Sequence, residues 1–288
     1  MSLYDFGLSF LEKNTPSYKI EDPSIGIVTA TDSNTFVGVQ TLYSSIKGKI
    51  NFTCYDIGLN KEELRWANSN GMSVVKFKKK INRIDKWQTY LKPFFIKESP
   101  YEYTIWIDSD CIVSGDLSTS EFIVNKKTFF VEHWINEKHL RRNCEELYKR
   151  YPVKGSAANI NAGVFAINKT TNSDIIDEWI YLVDIVLQQE EVRKLTVHWD
   201  EGCLLWAIRK TNNGNLIIND YRYNCQTDTT QPNEYELASY EKPTVILTNN
   251  IIPSKFFREV IDSKVFVNHF STCMENKKKY WNKWIEAN

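Results

Sequence analysis

The chain has 288 residues, with 36 Lys and Arg against 36 Asp and Glu and a formal net charge of zero. That balance carries no basic footprint for a duplex nucleic acid, and 42% hydrophobic with 25% charged residues excludes a disordered or fibrous chain. The length suits one large α/β domain, and the longest strongly apolar stretches, such as Cys203–Ile208, are far shorter than the roughly 18–20 residues of a membrane span.

In chain order, residues 1–24 read as an N-terminal extension of mixed character with two prolines, Pro16 and Pro23. Asp5 and Glu12, with no basic flank before an apolar run, argue against a secretory signal. From Ile25 a β-α rhythm begins that predicts a parallel sheet. Ile25–Ala30 is an apolar strand, and Thr35–Lys47 a helix with Phe36, Val39, Leu42, Tyr43 and Ile46 at helical spacing. Phe52–Tyr55 is the next strand and Lys61–Asn70 the next helix, stopped by Gly71. Strand Ser73–Phe77, helix Lys86–Lys97 and strand Tyr103–Ile107 follow, the last running into Asp108-Ser109-Asp110. Four such steps make a nucleotide-binding half over residues 25–117.

Residues 118–288 read as the second half and C-terminal segment of the same domain. Thr128–Trp134 and Val164–Ile167 are strand-like, and Asn136–Arg150 is a charged amphipathic helix. Asn172–Gln189 is a strong helix with Ser173 as its cap and Ile176, Ile180, Val183 and Leu187 on one face. Cys203–Arg209 reads as a buried helix, Leu216–Ile218 and Val245–Leu247 as short strands, and Gln226–Tyr240 as a polar loop. The six cysteines (Cys54, Cys111, Cys144, Cys203, Cys225, Cys273) include no Cys-x-x-Cys pair and read as reduced thiols of a cytoplasmic protein. Two sequons, at Asn51 and Asn168, read as chance, since Asn51 begins a strand.

The most chemical feature is Asp108-Ser109-Asp110 after an apolar strand. Two carboxylates at i and i+2 on extended backbone face the same way, and at a strand end they hold a hard divalent cation without being buried unpaired. An isolated Asp-x-Asp is more often a solvated turn. Thr31-Asp32-Ser33-Asn34 reads as a helix cap, Lys92 as a solvent-facing lysine at a helix end, and His269 as a packed strand-end histidine. Asn161-Ala162-Gly163 is more telling: glycine is scarce, 11 in all, and small residues let a ligand approach the backbone. Asp200 and Glu201 open a helix, where capping accounts for a carboxylate.

Five segments in order resemble GT-A-fold, nucleotide-sugar-dependent glycosyltransferases, with most similarity to glycosyltransferase family 8 and its relatives. They are Thr29-Ala30-Thr31-Asp32, Tyr90-Leu91-Lys92-Pro93, Ile105–Leu117, Asn161-Ala162-Gly163-Val164-Phe165 and His269-Phe270. The resemblance covers roughly residues 25–285. It implies an α/β, Rossmann-like mixed sheet flanked by helices in a single domain, residues 25–288. It implies Asp108, Asp110 and His269 as ligands of Mn²⁺ or Mg²⁺, the imidazole leaning toward manganese. Donor contacts would come from Thr29, Ala30, Thr31, Asp32, Lys92, Asp108, Ser109, Asn161, Ala162 and Gly163, with Asp32 on a uracil base. Asp200 and Glu201 would act as general base on the acceptor hydroxyl or as ligands of the donor sugar. Retaining family 8 relatives carry Asp-Gln-Asp there, whereas here Gly202-Cys203 follow, so the stereochemical outcome stays open.

The resemblance therefore implies a hexosyl- or pentosyltransferase that takes a nucleotide-sugar donor, a UDP-sugar, and a glycan or glycoconjugate acceptor. No nucleic acid partner is expected. The basic and aromatic segment Lys277–Trp284 leaves room for peripheral contact with a membrane surface; a solvated tail accounts for it equally. A sugar-phosphate nucleotidylyltransferase needs a Gly-rich basic loop after its first strand, and Ala30–Thr35 has no Gly, Lys or Arg. A non-catalytic carbohydrate-binding protein on the same scaffold is the other alternative, against which the intact Asp108, Asp110 and His269 set argues.

Overall fold

The computed structural model describes residues 17–78, 88–113, 115–132, 146–153, 160–196, 200–211, 217–218, 223, 225–226 and 267–269. The N-terminal half alternates as expected: β1 (Ile25–Asp32), α1 (Phe36–Ile46), β2 (Asn51–Gly58), α2 (Lys61–Asn70), β3 (Ser73–Lys76), α3 (Lys92–Glu98) and β4 (Tyr103–Ile107). These four strands are all parallel, in the order β3-β2-β1-β4. After β5 (Cys111–Val113) and the single-turn α4 (Glu121–Val124) come β6 (Phe129–Glu132) and β7 (Ile160–Asn168). Strand β7 runs antiparallel to both β4 and β6, and β8 (Ile217–Ile218) completes a seven-stranded mixed sheet on the far side of β6. A second sheet joins β5 to β10 (Val267–His269) and β9 (Cys225–Gln226).

Alternation along the strands builds two cores. Tyr103, Ile105 and Ile107 face α1 and α2 on one side, and Trp106 faces α3, α5 (Ser173–Gln188) and, beyond the single-turn α6 (Glu190–Arg193), α7 (Asp200–Thr211) on the other. On that second face an aromatic row crosses the sheet. Tyr55 stacks on Phe95 at 5.0 Å between centroids, Phe95 on Trp106 at 6.0 Å, Trp106 on Phe165 at 6.4 Å and Phe165 on Phe130 at 5.8 Å. Between β4 and α5 this row leaves little room for change, because each ring adds contact area on both of its faces.

Local chemistry accounts for several boundaries. Asn60 caps α2 in a reciprocal box with Glu63, and Gly71 ends it at φ +76°. The expected helix over 86–97 is shorter: a 3₁₀ turn spans Gln88–Leu91 and α3 starts at Lys92. Pro93 explains the start, since a residue without an N–H fits a helix's first turn and not its interior. Ser173 is not the cap of α5; Asn172 holds that position and makes no side-chain cap hydrogen bond. Trp179, not named for the apolar face although it lies between Ile176 and Val183 at helical spacing, is fully buried at its centre. Strand β7 starts earlier than expected and includes Asn161-Ala162-Gly163.

Both sequon asparagines are spent on structure. Asn51 Nδ2 donates to the carbonyls of Asp22 and Ile25, and Asn168 Nδ2 donates to that of Lys126. Cys54, Cys111 and Cys203 are fully buried. The segment after Pro16 is bound to the domain through the Ile20 N–H to Lys49 carbonyl bond and the Asp22–Lys126 ion pair. Among the described residues no helix is long and apolar enough to cross a membrane. The expected strand Val245–Leu247, most of the Gln226–Tyr240 loop and the Lys277–Trp284 segment lie outside the described residues.

Candidate active site

The carboxyl ends of β1 and β4 lie side by side, since the two strands are parallel neighbours, and this is where open parallel sheets bind ligands. Thr29 at the end of β1 is fully buried, and its hydroxyl has no partner among the described residues. Ala30 packs half-buried against the aromatic core, and Thr31 Oγ1 lies 2.8 Å from Thr35 Oγ1. Asp32 is not the cap of α1, a position held by Thr35; it closes the turn before the helix, its Oδ1 accepting from the backbone N–H groups of Asn34 and Thr35 at 2.9 and 3.1 Å. Its other oxygen lies 3.5 Å from Gln88 Nε2.

Asp108, Ser109 and Asp110 are half-buried; Asp108 directly follows β4, and Ser109 and Asp110 lie in a turn. The Cys111 N–H donates to the Asp108 carbonyl at 3.1 Å, closing a turn between β4 and β5. The alternation argument for two like-facing carboxylates therefore does not apply; the turn sets their directions instead. Antiparallel pairing of β5 with β10 puts His269 opposite Cys111, one residue past Asp110. The imidazole itself lies outside the described residues, and among those no three His, Cys, Asp or Glu side chains form a metal-holding group. The donor types nonetheless fit a divalent cation: two carboxylates on a half-buried turn, with a histidine in register on the adjoining strand.

Lys92 is not the solvent-facing residue its helix-end position allows; it is 6% exposed. Its ammonium lies 2.9 Å from Asp108 Oδ1 and 2.7 Å from Asp200 Oδ2, and it donates to the Ala162 carbonyl at 2.9 Å. Burial by itself lowers a lysine, but Asp108 and Asp200 outweigh it and hold the Lys92 ammonium above its ordinary value. Asp200, the more buried of the two carboxylates beside Lys92, is held above its ordinary value. Burial does most of this, Lys92 pulls the other way, and the Asp108 charge adds to the rise.

Strand β7 supplies the platform between these groups. Its register against β6 jumps from Phe130↔Phe165 to Val131↔Asn161, so Ala162, Gly163 and Val164 form a bulge. The bulge is pinned on several sides. The Asp108 N–H donates to the Gly163 carbonyl at 2.8 Å and the Gly163 N–H to Asn161 Oδ1 at 2.8 Å. The Ala162 N–H donates to Glu201 Oε1 at 3.3 Å. Asp200 and Glu201 stand in the first turn of α7, so Asp108, Lys92, Asn161–Gly163, Asp200 and Glu201 are one connected cluster.

Trp106 was not among the expected site residues. Its Nε1–H donates to Asp108 Oδ1 at 2.7 Å, and Lys92 Nζ lies 5.5 Å from its ring centroid. The signal was available, because residues i and i+2 of a strand share a face.

No family model and no curated protein sequence matches the chain. Solved structures do. The galactosyltransferase LgtC, in complex with donor and acceptor sugar analogs, aligns over 90% of this chain and 95% of its own at 14% identity, with a TM-score of 0.56. The chain has a GT-A fold. An active-site mutant of LgtC aligns over the same shares at 15% identity and a TM-score of 0.51. Mouse xyloside xylosyltransferase 1 aligns over 88% of this chain and 97% of its own at 11% identity, with a TM-score of 0.44. The cluster around Lys92 joins the Asp108 turn, the β7 bulge and the first turn of α7.

Proposed function

We propose that this chain is a metal-dependent glycosyltransferase that moves a sugar from a UDP-sugar donor to a hydroxyl of a glycan or glycoconjugate acceptor. The motif order resembles that of glycosyltransferase family 8 and its relatives. The observation that carries the reading is the Asp108–Asp110 turn, which follows β4 beside the β1 end and adjoins the β7 bulge and α7. It supports a site with a nucleotide end, a phosphate end and a sugar end in one row.

In this reading Thr29, Ala30 and Thr31 border the nucleoside, and Asp32 contacts the uracil while its other bonds hold the start of α1. Asp108, Asp110 and His269 hold a Mn²⁺ or Mg²⁺ ion. When bound, such an ion offsets the diphosphate charge and stabilises the charge left on the departing UDP. Asn161, Ala162 and Gly163 present a close backbone surface to the donor sugar. Asp200 and Glu201 act at the reacting end, as sugar ligands or as base toward the acceptor hydroxyl.

The test is UDP release from a panel of UDP-sugars with Mn²⁺, with Mg²⁺ and with EDTA. Release from at least one donor that EDTA stops is the expected result. A protein that binds neither UDP nor Mn²⁺ by calorimetry sinks the proposal.

A further inference from the structure

We propose that Lys92 is a positioning residue that ties the Asp108 turn to the first turn of α7, and not a ligand of the donor's diphosphate; the inference deepens the reading above and rests on it. An ammonium group has three N–H donors and no acceptor. Those of Lys92 face three oxygens from three separate elements: Asp108 Oδ1 of the turn, Asp200 Oδ2 of α7 and the Ala162 carbonyl of the β7 bulge. The face of Trp106 covers it from a further direction. To reach a diphosphate, Lys92 would have to leave a carboxylate that is 5% exposed, and a buried charge stripped of its partner is strongly destabilising.

The geometry makes Lys92 a coupling. Asp200 is tied to Lys92, Lys92 to Asp108, and Asp108 to the Trp106 indole N–H. A shift at the sugar end therefore reaches the turn proposed to hold the metal. Reactions that depend on placement lose rate steeply when a group is misplaced by about 1 Å, so the expected signature of Lys92 is in turnover and not in nucleotide affinity.

The first measurement is the Trp106 indole N–H resonance, assigned by comparison with Trp106→Phe. Asp200→Asn should shift this resonance in the otherwise unchanged protein and leave it in place in a Lys92→Met background. Should Lys92→Met not fold, the Asp200→Asn shift alone decides. An indole resonance that ignores Asp200→Asn overturns the proposal. The second measurement is kinetic: with Mn²⁺, Lys92→Met should lower kcat for UDP-sugar turnover by about 100-fold while UDP affinity by calorimetry stays within about 3-fold. UDP affinity falling in step with kcat, the mark of a direct phosphate ligand, also overturns it. A protein showing the indole coupling but neither UDP binding nor turnover upholds the tie and overturns the transferase reading.

Discussion

Asp110 and Asp200 are both acidic residues of the candidate site, yet their surroundings differ. Asp110 is half-buried on a turn, whereas Asp200 is 5% exposed against a lysine. Asp110→Ala should abolish EDTA-sensitive UDP release and cost less than about 1 kcal/mol of stability, as substitutions away from the core do; UDP release and urea unfolding check both. Full activity in that variant, unaffected by EDTA, would remove the metal from the reading. Replacing Asp200 and Glu201 together by their amides should lower transfer far more than UDP affinity. Unchanged turnover would reduce both to helix caps. Of the single changes, Glu201→Gln should be the milder, because the amide keeps a carbonyl oxygen for the Ala162 N–H, while Asp200→Asn removes a charge from the buried triad and should cost about 2 kcal/mol. The residues of this cluster were legible one by one from short motifs. Their pairing was not: Lys92 and Asp200 are remote in sequence, and no local periodicity connects them.

At the level of elements, β1 depends on a missing side chain. A Cβ built on Gly26 would lie 2.3 Å from Cε2 of Tyr101, whose hydroxyl is 2.9 Å from Thr53 Oγ1. Gly26→Ala should therefore destabilise the protein by about 1–3 kcal/mol, the usual cost of overpacking, read as a lower urea midpoint. The β2–β3 edge carries a pH dependence. Burial pushes the Asp56 carboxyl up, but the Leu59 N–H, Lys76 and the Gly58 N–H together outweigh it and hold the group below its ordinary 3.8. A depressed folded-state value means that the added stability is whole above 3.8 and is lost as pH falls through the folded value. Asp56→Asn should flatten that acid limb of the urea midpoint against pH; a limb of unchanged slope would assign the acid loss elsewhere. Elements with strong local signals, such as α2 with its capping box and Gly71, were legible to the residue. Helix α3 was not, because its apolar pattern runs on through the 3₁₀ turn and only Pro93 marks the start.

For the whole molecule, the sheet order β3-β2-β1-β4, continued by the antiparallel β7 and then β6, makes one continuous sheet, with the aromatic row beneath the cluster. Ligand binding to that surface should stabilise the entire fold: UDP with Mn²⁺ at a hundred times its Kd should add about 2.7 kcal/mol by mass action, visible as a raised Tm that EDTA reverses. No change in Tm with UDP and Mn²⁺ together would count against a nucleotide site. The sequence by itself determined the β-α alternation, the strand that leads into the acidic pair and the order of the motifs, because periodicity, caps and turn chemistry act over a few residues. Only the tertiary structure decided that Asp108–Asp110 is a turn, that β7 bulges at Ala162–Val164, and that Lys92 sits between Asp108 and Asp200. Those outcomes depend on strand register and on a buried cation meeting its counter-charges, and both arise from segments brought together only by folding.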